Sequence, residues 1–205
     1  MDKKYPNTLG SERTVEIAFI EEMILKYHRP NSIVLDVGGV PSDSMHFQPI
    51  YKTIQEQGID YRVSDFRGGH YRGDFVSYDF KDEKFDLIIF LSSLEHFPQC
   101  TESDVVYREG EDRKGYEKAL SILQKNGTVL LTVPFGMHRW QEYHQNYDWD
   151  GILNLTEGSS IVESFTYRLI DEEWVLSDPL TMDDIIYSDR AYGVGCFVLS
   201  KNEKN

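Results

Sequence analysis

Four stretches of this chain end on residues equipped for chemistry. "IVLDVGG", residues 33–39, passes from apolar residues to Asp36 and then to Gly38 and Gly39. "DYRVSDF", residues 60–66, closes on Asp65 and Phe66, and "GDF", residues 73–75, supplies Asp74 and Phe75. "FDLIIFLSSLEH", residues 85–96, closes on Leu91, Ser92, Glu95 and His96. Glycine lets a backbone pass close to a ligand. An acid at the end of a second strand suits the two hydroxyls of a ribose. An acid beside an aromatic ring suits an adenine, accepting from its amino group and covering its face. No lysine stands in the first loop, which excludes a Walker-type phosphate cradle. The ligand these residues fit is an adenosine with little phosphate. Taken singly, each has a plainer reading: a tight turn for Gly38 and Gly39, a solvated strand end for Asp65, core packing for Phe66 and Phe75. Their order and spacing favour a shared site.

His96 is the candidate base, because an unperturbed imidazole titrates close to neutrality. Capping or packing against the next helix is its alternative role, and Glu95 reads as structural. A second polar cluster, "FGMHRWQEYHQNYDW" at residues 135–149, holds His138, Arg139, Tyr143 and His144. Aromatic bodies with polar tips suit stacking and hydrogen bonding to a sugar-like acceptor. A surface loop around buried Trp140 and Trp149 is the plainer alternative. No carboxylate is fixed beside these histidines by the pattern, so no metal is expected. Residues 101–113, "TESDVVYREGEDR", form either a lid or a solvated loop. Arg13 and Glu16 reach the site if the first helix folds across it; otherwise they sit on an exposed helix face.

The positioning elements follow from hydrophobic period. Residues 11–28 read as a helix capped by Ser11 and ended by Pro30, and residues 48–57 as a second. Residues 115–124 read as a third, with Gly127 just past its end. Strands are expected at residues 32–36, 60–65, 71–76, 85–91 and 128–133, with two later ones at 161–169 and 195–199. Short, fully apolar strands alternating with helices indicate an open, doubly wound α/β sheet. The last two strands lack a strong helix between them and should pair as an antiparallel edge. We expect one domain over residues 1–205: an N-terminal helix (1–30), a cofactor-binding core (31–136), and an acceptor-side loop with terminal strands (137–205).

Bulk properties narrow the partners. The formal net charge is −14 over 205 residues, and no Lys or Arg cluster offsets it, so nucleic acid is not expected as a substrate. Cys100 and Cys196 form neither a disulfide framework nor a C-x-x-C pair, which fits a reducing cytoplasm. No signal peptide and no apolar run of membrane-spanning length is present, so membrane insertion is not expected.

With these residues in place, the chain resembles the class I S-adenosylmethionine (SAM)-dependent methyltransferases. The resemblance runs from about residue 34 to residue 136. "VLDVGG" resembles the motif that binds the methionine part of SAM, and Asp65 the ribose-binding acid. "GDF" and "KFDLIIFLSSLEHF" resemble the adenine and fourth-strand motifs, and "ALSILQKNGTVLLTVPFG" the helix, turn and fifth strand that follow. "LSSLEH" with "TVPFG" is more narrowly similar to bacterial small-molecule methyltransferases of sugar and polysaccharide biosynthesis. The family's usual D-x-G-x-G-x-G is incomplete, with Val40 and Ser42 at its second and third glycine positions. The resemblance implies a Rossmann-like, doubly wound seven-stranded sheet, mostly parallel with an antiparallel edge strand. It implies SAM as cofactor, bound by Asp36, Gly38, Gly39, Asp65, Phe66, Asp74, Phe75, Leu91 and Ser92, and a small-molecule acceptor, methylated on oxygen if His96 is the base. Two other readings stay open. One is an NAD(P)-dependent Rossmann reductase, disfavoured because neither G-x-G-x-x-G nor a Tyr-x-x-x-Lys pair is present. The other is a binding or scaffold protein that kept the fold without catalysis.

Overall fold

A computed structural model describes residues 1–39, 48–99, 108–140, 144–182 and 192–202. Tyr143, Cys100, Val40, Ser42 and most of the charged loop at 101–113 lie outside the described residues.

The apolar runs become the strands of one mixed sheet. In chain order the elements are β1 (Lys4–Pro6), α1 (Arg13–Tyr27), β2 (Ile33–Val37), α2 (Gln48–Gln57), β3 (Asp60–Asp65), β4 (Tyr71–Arg72) and β5 (Phe85–Leu91). After a 3-10 turn at Leu94–Gln99 come α3 (Glu111–Ile122), β6 (Leu123–Pro134), β7 (Arg139–Trp140), β8 (Gln145–Asn146) and α4 (Trp149–Leu155). The chain closes with β9 (Ser159–Ile170), β10 (Glu173–Ser177) and β11 (Gly193–Lys201). The sheet order is β1-β10-β9-β11-β6-β5-β2-β3-β4, and β7 and β8 form a separate pair. β4, β3, β2, β5 and β6 are parallel neighbours. β11, β9, β10 and β1 extend the sheet by antiparallel pairing.

The sheet therefore has nine strands where seven were expected, and the antiparallel part is four strands wide. The physical cause is a tight hairpin at Asp171 and Glu172, both in the left-handed region (φ 48° and 61°), which folds β10 back on β9. Two consecutive left-handed residues suit a two-residue hairpin turn. β1 then covers the new edge, and Pro6, which has no N–H to offer the ladder, sits on that outermost strand. The helix expected at 115–124 instead spans Glu111–Ile122, and Leu123 is already extended. Asn126 takes a left-handed conformation (φ 63°), and Gly127, expected just past the helix end, lies within β6.

Alternation along the strands sorts side chains to two faces. α1 and α2 cover one face, where Val15, Phe19, Ile20, Met23 and Ile24 meet Val34, Leu87, Ile89 and Leu130. α3 and α4 cover the other, with Tyr116, Ala119 and Ile152 against Leu35, Ile88, Phe90 and Leu131. Asp36 and Thr132 fall on the α1 face by the same two-residue period. Among the described residues no helix is long and apolar enough to cross a membrane.

Candidate functional site

β2 pairs with β3 on one side and β5 on the other, both in parallel. Its carboxyl end is therefore a switch point in strand order, where α/β sheets open a crevice for ligands. Asp36 stands there, buried, and accepts a hydrogen bond from the Tyr61 hydroxyl. Burial pushes its pKa up to about 6; Asp65 adds to that rise, while the Tyr61 bond and Arg13 oppose it. Its Oδ1 has no hydrogen-bond partner among the described residues.

The two glycines bring the strand ends together. Gly38 has φ 78°, and a Cβ on it would stand 2.6 Å from Ser93 Cβ. The Ser93 hydroxyl donates to Val37 O at 2.6 Å, tying the loop after β5 to the end of β2. A Cβ on Gly39 would lie 2.7 Å from Asp36 Oδ2. Protein atoms thus crowd both Cβ positions.

The N-terminal end of α1 closes over this junction. Glu16, fully buried, accepts from Arg13 Nη1 at 2.7 Å, from Thr132 Oγ1 at 2.8 Å and from the Ser92 hydroxyl. Ser92 sits in the left-handed region (φ 41°), held there by its N–H bonds to Thr132 O at 3.2 Å and Oγ1 at 3.1 Å. A non-glycine residue in that region is strained, and such strain clusters at functional sites. Glu95, on the 3-10 turn, is 1% exposed, and its Oε2 has no hydrogen-bond partner among the described residues. Burial is the main cause that pushes its carboxyl up to about 8; Glu16 raises it further and Arg13 lowers it. Arg13 is itself held charged by Glu16, Glu12 and Glu95.

The remaining strand ends are more open. Asp65 is half-buried and accepts from Arg67 N at 2.7 Å, and Phe66 beside it is also half-buried. Asp74 is exposed, with Oδ1 accepting from Val76 N at 3.2 Å. Phe75 is 4% exposed and packs its ring against Phe80, Phe90 and Phe97, so it presents little surface to a ligand. Leu91 and Ser92 are buried against the α1 face.

His96 keeps 43% of its side chain exposed, and its Nε2 lies 3.8 Å from Glu95 Oε1. Its ring meets that of His144 edge-on, with centroids 6.1 Å apart. Burial, with His96 adding to it, lowers the His144 pKa to about 4, so His144 is neutral at physiological pH. The second polar cluster therefore divides. His144 joins His96, whereas His138 lines a cavity of about 240 Å³ together with Asp112, Arg113, Gln145, Tyr147 and Asn154. Arg139 opens β7 and pairs in register with Asn146. Among the described residues no three His, Cys, Asp or Glu side chains are grouped to hold a metal ion.

These strand ends present acceptors for the donors or the positive centre of a ligand. Asp65 offers an open carboxylate, and Asp36 Oδ1 and Glu95 Oε2 are buried acceptors without donors. Tyr61, Thr132 and the burial of Glu95 were not foreseen from the sequence. A signal existed for Glu16: a lone acid within the apolar run "VEIAFI" must find a buried partner or break the helix face.

No family model and no curated protein matches the sequence. Solved structures do match in fold. The N-methyltransferase NodS of Bradyrhizobium japonicum WM9, in complex with S-adenosylhomocysteine, is 14% identical and superposes with a TM-score of 0.57 over 94% of this chain and 88% of its own. The chain has the class I methyltransferase fold. A SAM-dependent methyltransferase from Clostridium acetobutylicum ATCC 824 is 10% identical, with a TM-score of 0.55 over 91% of each chain. The cyclase SpnF is 13% identical, with a TM-score of 0.57 over 92% of this chain and 82% of its own. Within the methyltransferase fold seen here, β11 lies between β6 and β9, and β10 and β1 are added outside β9.

Proposed function

We propose that this chain is a SAM-dependent methyltransferase acting on a small-molecule acceptor, with a carbohydrate or its precursor as the favoured class and oxygen as the favoured atom. What supports this reading is that Asp36, Asp65, Asp74 and Glu95 stand at or just past the carboxyl ends of β2, β3, β4 and β5 in a methyltransferase fold, with Asp36 Oδ1 and Glu95 Oε2 buried without donors among the described residues. When bound, the cofactor supplies a methyl group already activated on a positively charged sulfur, so the protein mainly aligns and deprotonates the acceptor.

The chain's own residues divide that work. Asp65 would accept from the ribose hydroxyls, and half-buried Phe66 would cover the adenine, with Asp74 accepting at its edge. Gly38, Gly39, Leu91 and Ser92 would border the methionine part, with Asp36 beneath. His96, partly exposed beside the strand end, would take the proton of the acceptor hydroxyl. His144, neutral beside it, would add no competing charge. His138, Arg139 and Tyr143 would contact the acceptor, the first through the cavity it lines. The protein would work in a reducing cytoplasm as one domain over residues 1–205.

Calorimetry with S-adenosylhomocysteine tests this reading, and absence of both heat and thermal shift at millimolar ligand would refute it. SpnF, named as a cyclase, shares the fold, which keeps a role without methyl transfer as the second reading. Cofactor binding without turnover across a broad acceptor panel favours that alternative. A spectral response to reduced nicotinamide would instead favour a reductase.

A further inference from the structure

The cavity that His138 lines lies between the first turn of α3, α4 and β8, and shares no lining residue with the strand ends assigned to the cofactor. Buried Asp112, Tyr147 and Leu155 close it behind, and exposed Glu109, His138 and Asn154 border its mouth. The Tyr147 hydroxyl donates to Asp112 Oδ2 at 2.7 Å and Arg113 N to Asp112 Oδ1 at 2.8 Å, so each oxygen is anchored and keeps a lone pair for a further donor. Asn154 Oδ1 accepts from Arg113 Nη1 at 3.2 Å, which leaves the Asn154 amide N–H groups without an acceptor among the described residues. Gln145 Nε2 lies 3.4 Å from His138 Nε2, a long contact that a ligand hydroxyl can replace. Gly151 keeps the room open, because a Cβ there would stand 2.8 Å from His138 Nδ1. The charges here are matched or negative. Arg113 is the one Lys or Arg lining the cavity among the described residues, and its Nε faces Glu117 at 3.1 Å, its Nη1 Asn154 and its Nη2 Glu157. Glu109 and Asp112 add carboxylates, and the net charge of −14 repels anions at longer range. A phosphate would meet those carboxylates and a guanidinium whose three nitrogens already have acceptors. A neutral, hydroxyl-rich ring finds acceptors at Asp112 and His138 and donors at Asn154 and Gln145. At about 240 Å³ the cavity is smaller than the usual pocket for a whole drug-sized ligand, so it suits a single ring. Gln145 follows His144, whose ring stands 6.1 Å from that of His96, and Tyr147 N donates to Pro134 O at 3.1 Å, which fastens β8 to the end of β6. A ring held here is therefore close to the strand ends where methyl transfer is proposed.

We propose that this cavity binds one neutral, hydroxyl-rich ring of the acceptor, a glycosyl unit without phosphate or carboxylate, whose hydroxyls meet Asp112, His138, Gln145 and Asn154. This rests on the methyltransferase reading for what happens to that acceptor, and it narrows the class from carbohydrates and their precursors to uncharged ones. Sugar phosphates and nucleotide-activated sugars are disfavoured in the cavity by charge.

Saturation-transfer NMR on the unmodified protein, with and without S-adenosylhomocysteine, tests a panel of methyl hexopyranosides against the matching hexose 1-phosphates at millimolar concentration. At least one glycoside should receive saturation, and its phosphate should bind at least about tenfold more weakly because like charges oppose it. Asn154→Ala removes an amide donor, and Gly151→Ala pushes against the His138 ring while favouring the helix it stands in. Each should weaken the glycoside by about three- to tenfold, the range of one lost hydrogen bond, with S-adenosylhomocysteine affinity unchanged. If no glycoside binds while S-adenosylhomocysteine does, the inference falls and the methyltransferase reading stands. Phosphates that bind as tightly as the glycosides also overturn the inference, as does a glycoside that neither variant weakens, which places the sugar elsewhere. Glycoside binding with the expected losses but no binding of S-adenosylhomocysteine upholds the cavity's ligand and refutes the methyltransferase reading.

Discussion

Glu16→Ala should be among the most damaging single changes in this protein. The side chain is fully buried and receives three hydrogen bonds, from Arg13, Ser92 and Thr132, which join α1 to the ends of β5 and β6. Truncation leaves a guanidinium and two hydroxyls without their acceptor. Breaking a buried charge pair from one side costs about 3–5 kcal/mol. Arg13 keeps 28% of its side chain exposed and can recover some hydration, so the lower end, about 3 kcal/mol, is expected. At this chain length that corresponds to a melting temperature lower by about 10 °C. Glu16→Gln keeps an acceptor for Ser92 and Thr132 and removes only the charge, so about half the loss should remain. Urea unfolding, followed by the fluorescence of fully buried Trp174, measures both variants. A Glu16→Ala protein less than about 1 kcal/mol weaker, at unchanged denaturant slope, would refute the claim that Glu16 anchors α1.

Three further outcomes follow from the same region. Asp36 and Glu95 have folded pKa values raised to about 6 and about 8, so between about pH 4 and pH 8 the native state holds more protons than the unfolded chain. Their contribution to stability is full at low pH and is lost as pH rises through those values; the urea midpoint of ligand-free protein should fall from pH 5 to pH 8.5, and Glu95→Gln should flatten the upper part. A midpoint that rises over this range contradicts the assignment. Gly38→Ala places a Cβ 2.6 Å from Ser93 Cβ at a φ of 78°, and should cost about 1–3 kcal/mol and weaken S-adenosylhomocysteine binding. An unchanged thermal melt would show that the two strand ends do not meet there. His96→Ala should slow methyl transfer by about a hundredfold with cofactor affinity within threefold, since it removes a base and leaves the nucleotide contacts intact. Unchanged turnover removes His96 from the chemistry.

What could be read in the sequence was whatever depends on local pattern. Ile33–Val37, Phe85–Leu91 and residues 128–133 announce themselves as buried strands because both faces are covered, so nearly every residue is apolar. Their ends were therefore legible too, and with them the positions of Asp36 in β2 and His96 just past β5. β10 and β1 were not, because these short outer strands carry mixed residues, and the hairpin between β9 and β10 turns on Asp171-Glu172 without a glycine. The acid network shows the deeper limit. Glu16 meets Ser92 and Thr132 across 76 and 116 residues, a pairing that exists only once β5 and β6 lie side by side beneath α1. Sequence spacing supports the idea that Glu16 needs a partner, because a lone buried acid is costly. It cannot say that the partners are two hydroxyls and an arginine, or that Glu95 and Asp36 each bury an oxygen with no donor among the described residues. The strand ends could be listed from the chain one by one; which of their acids become buried, and beside what, is a property of the assembly alone.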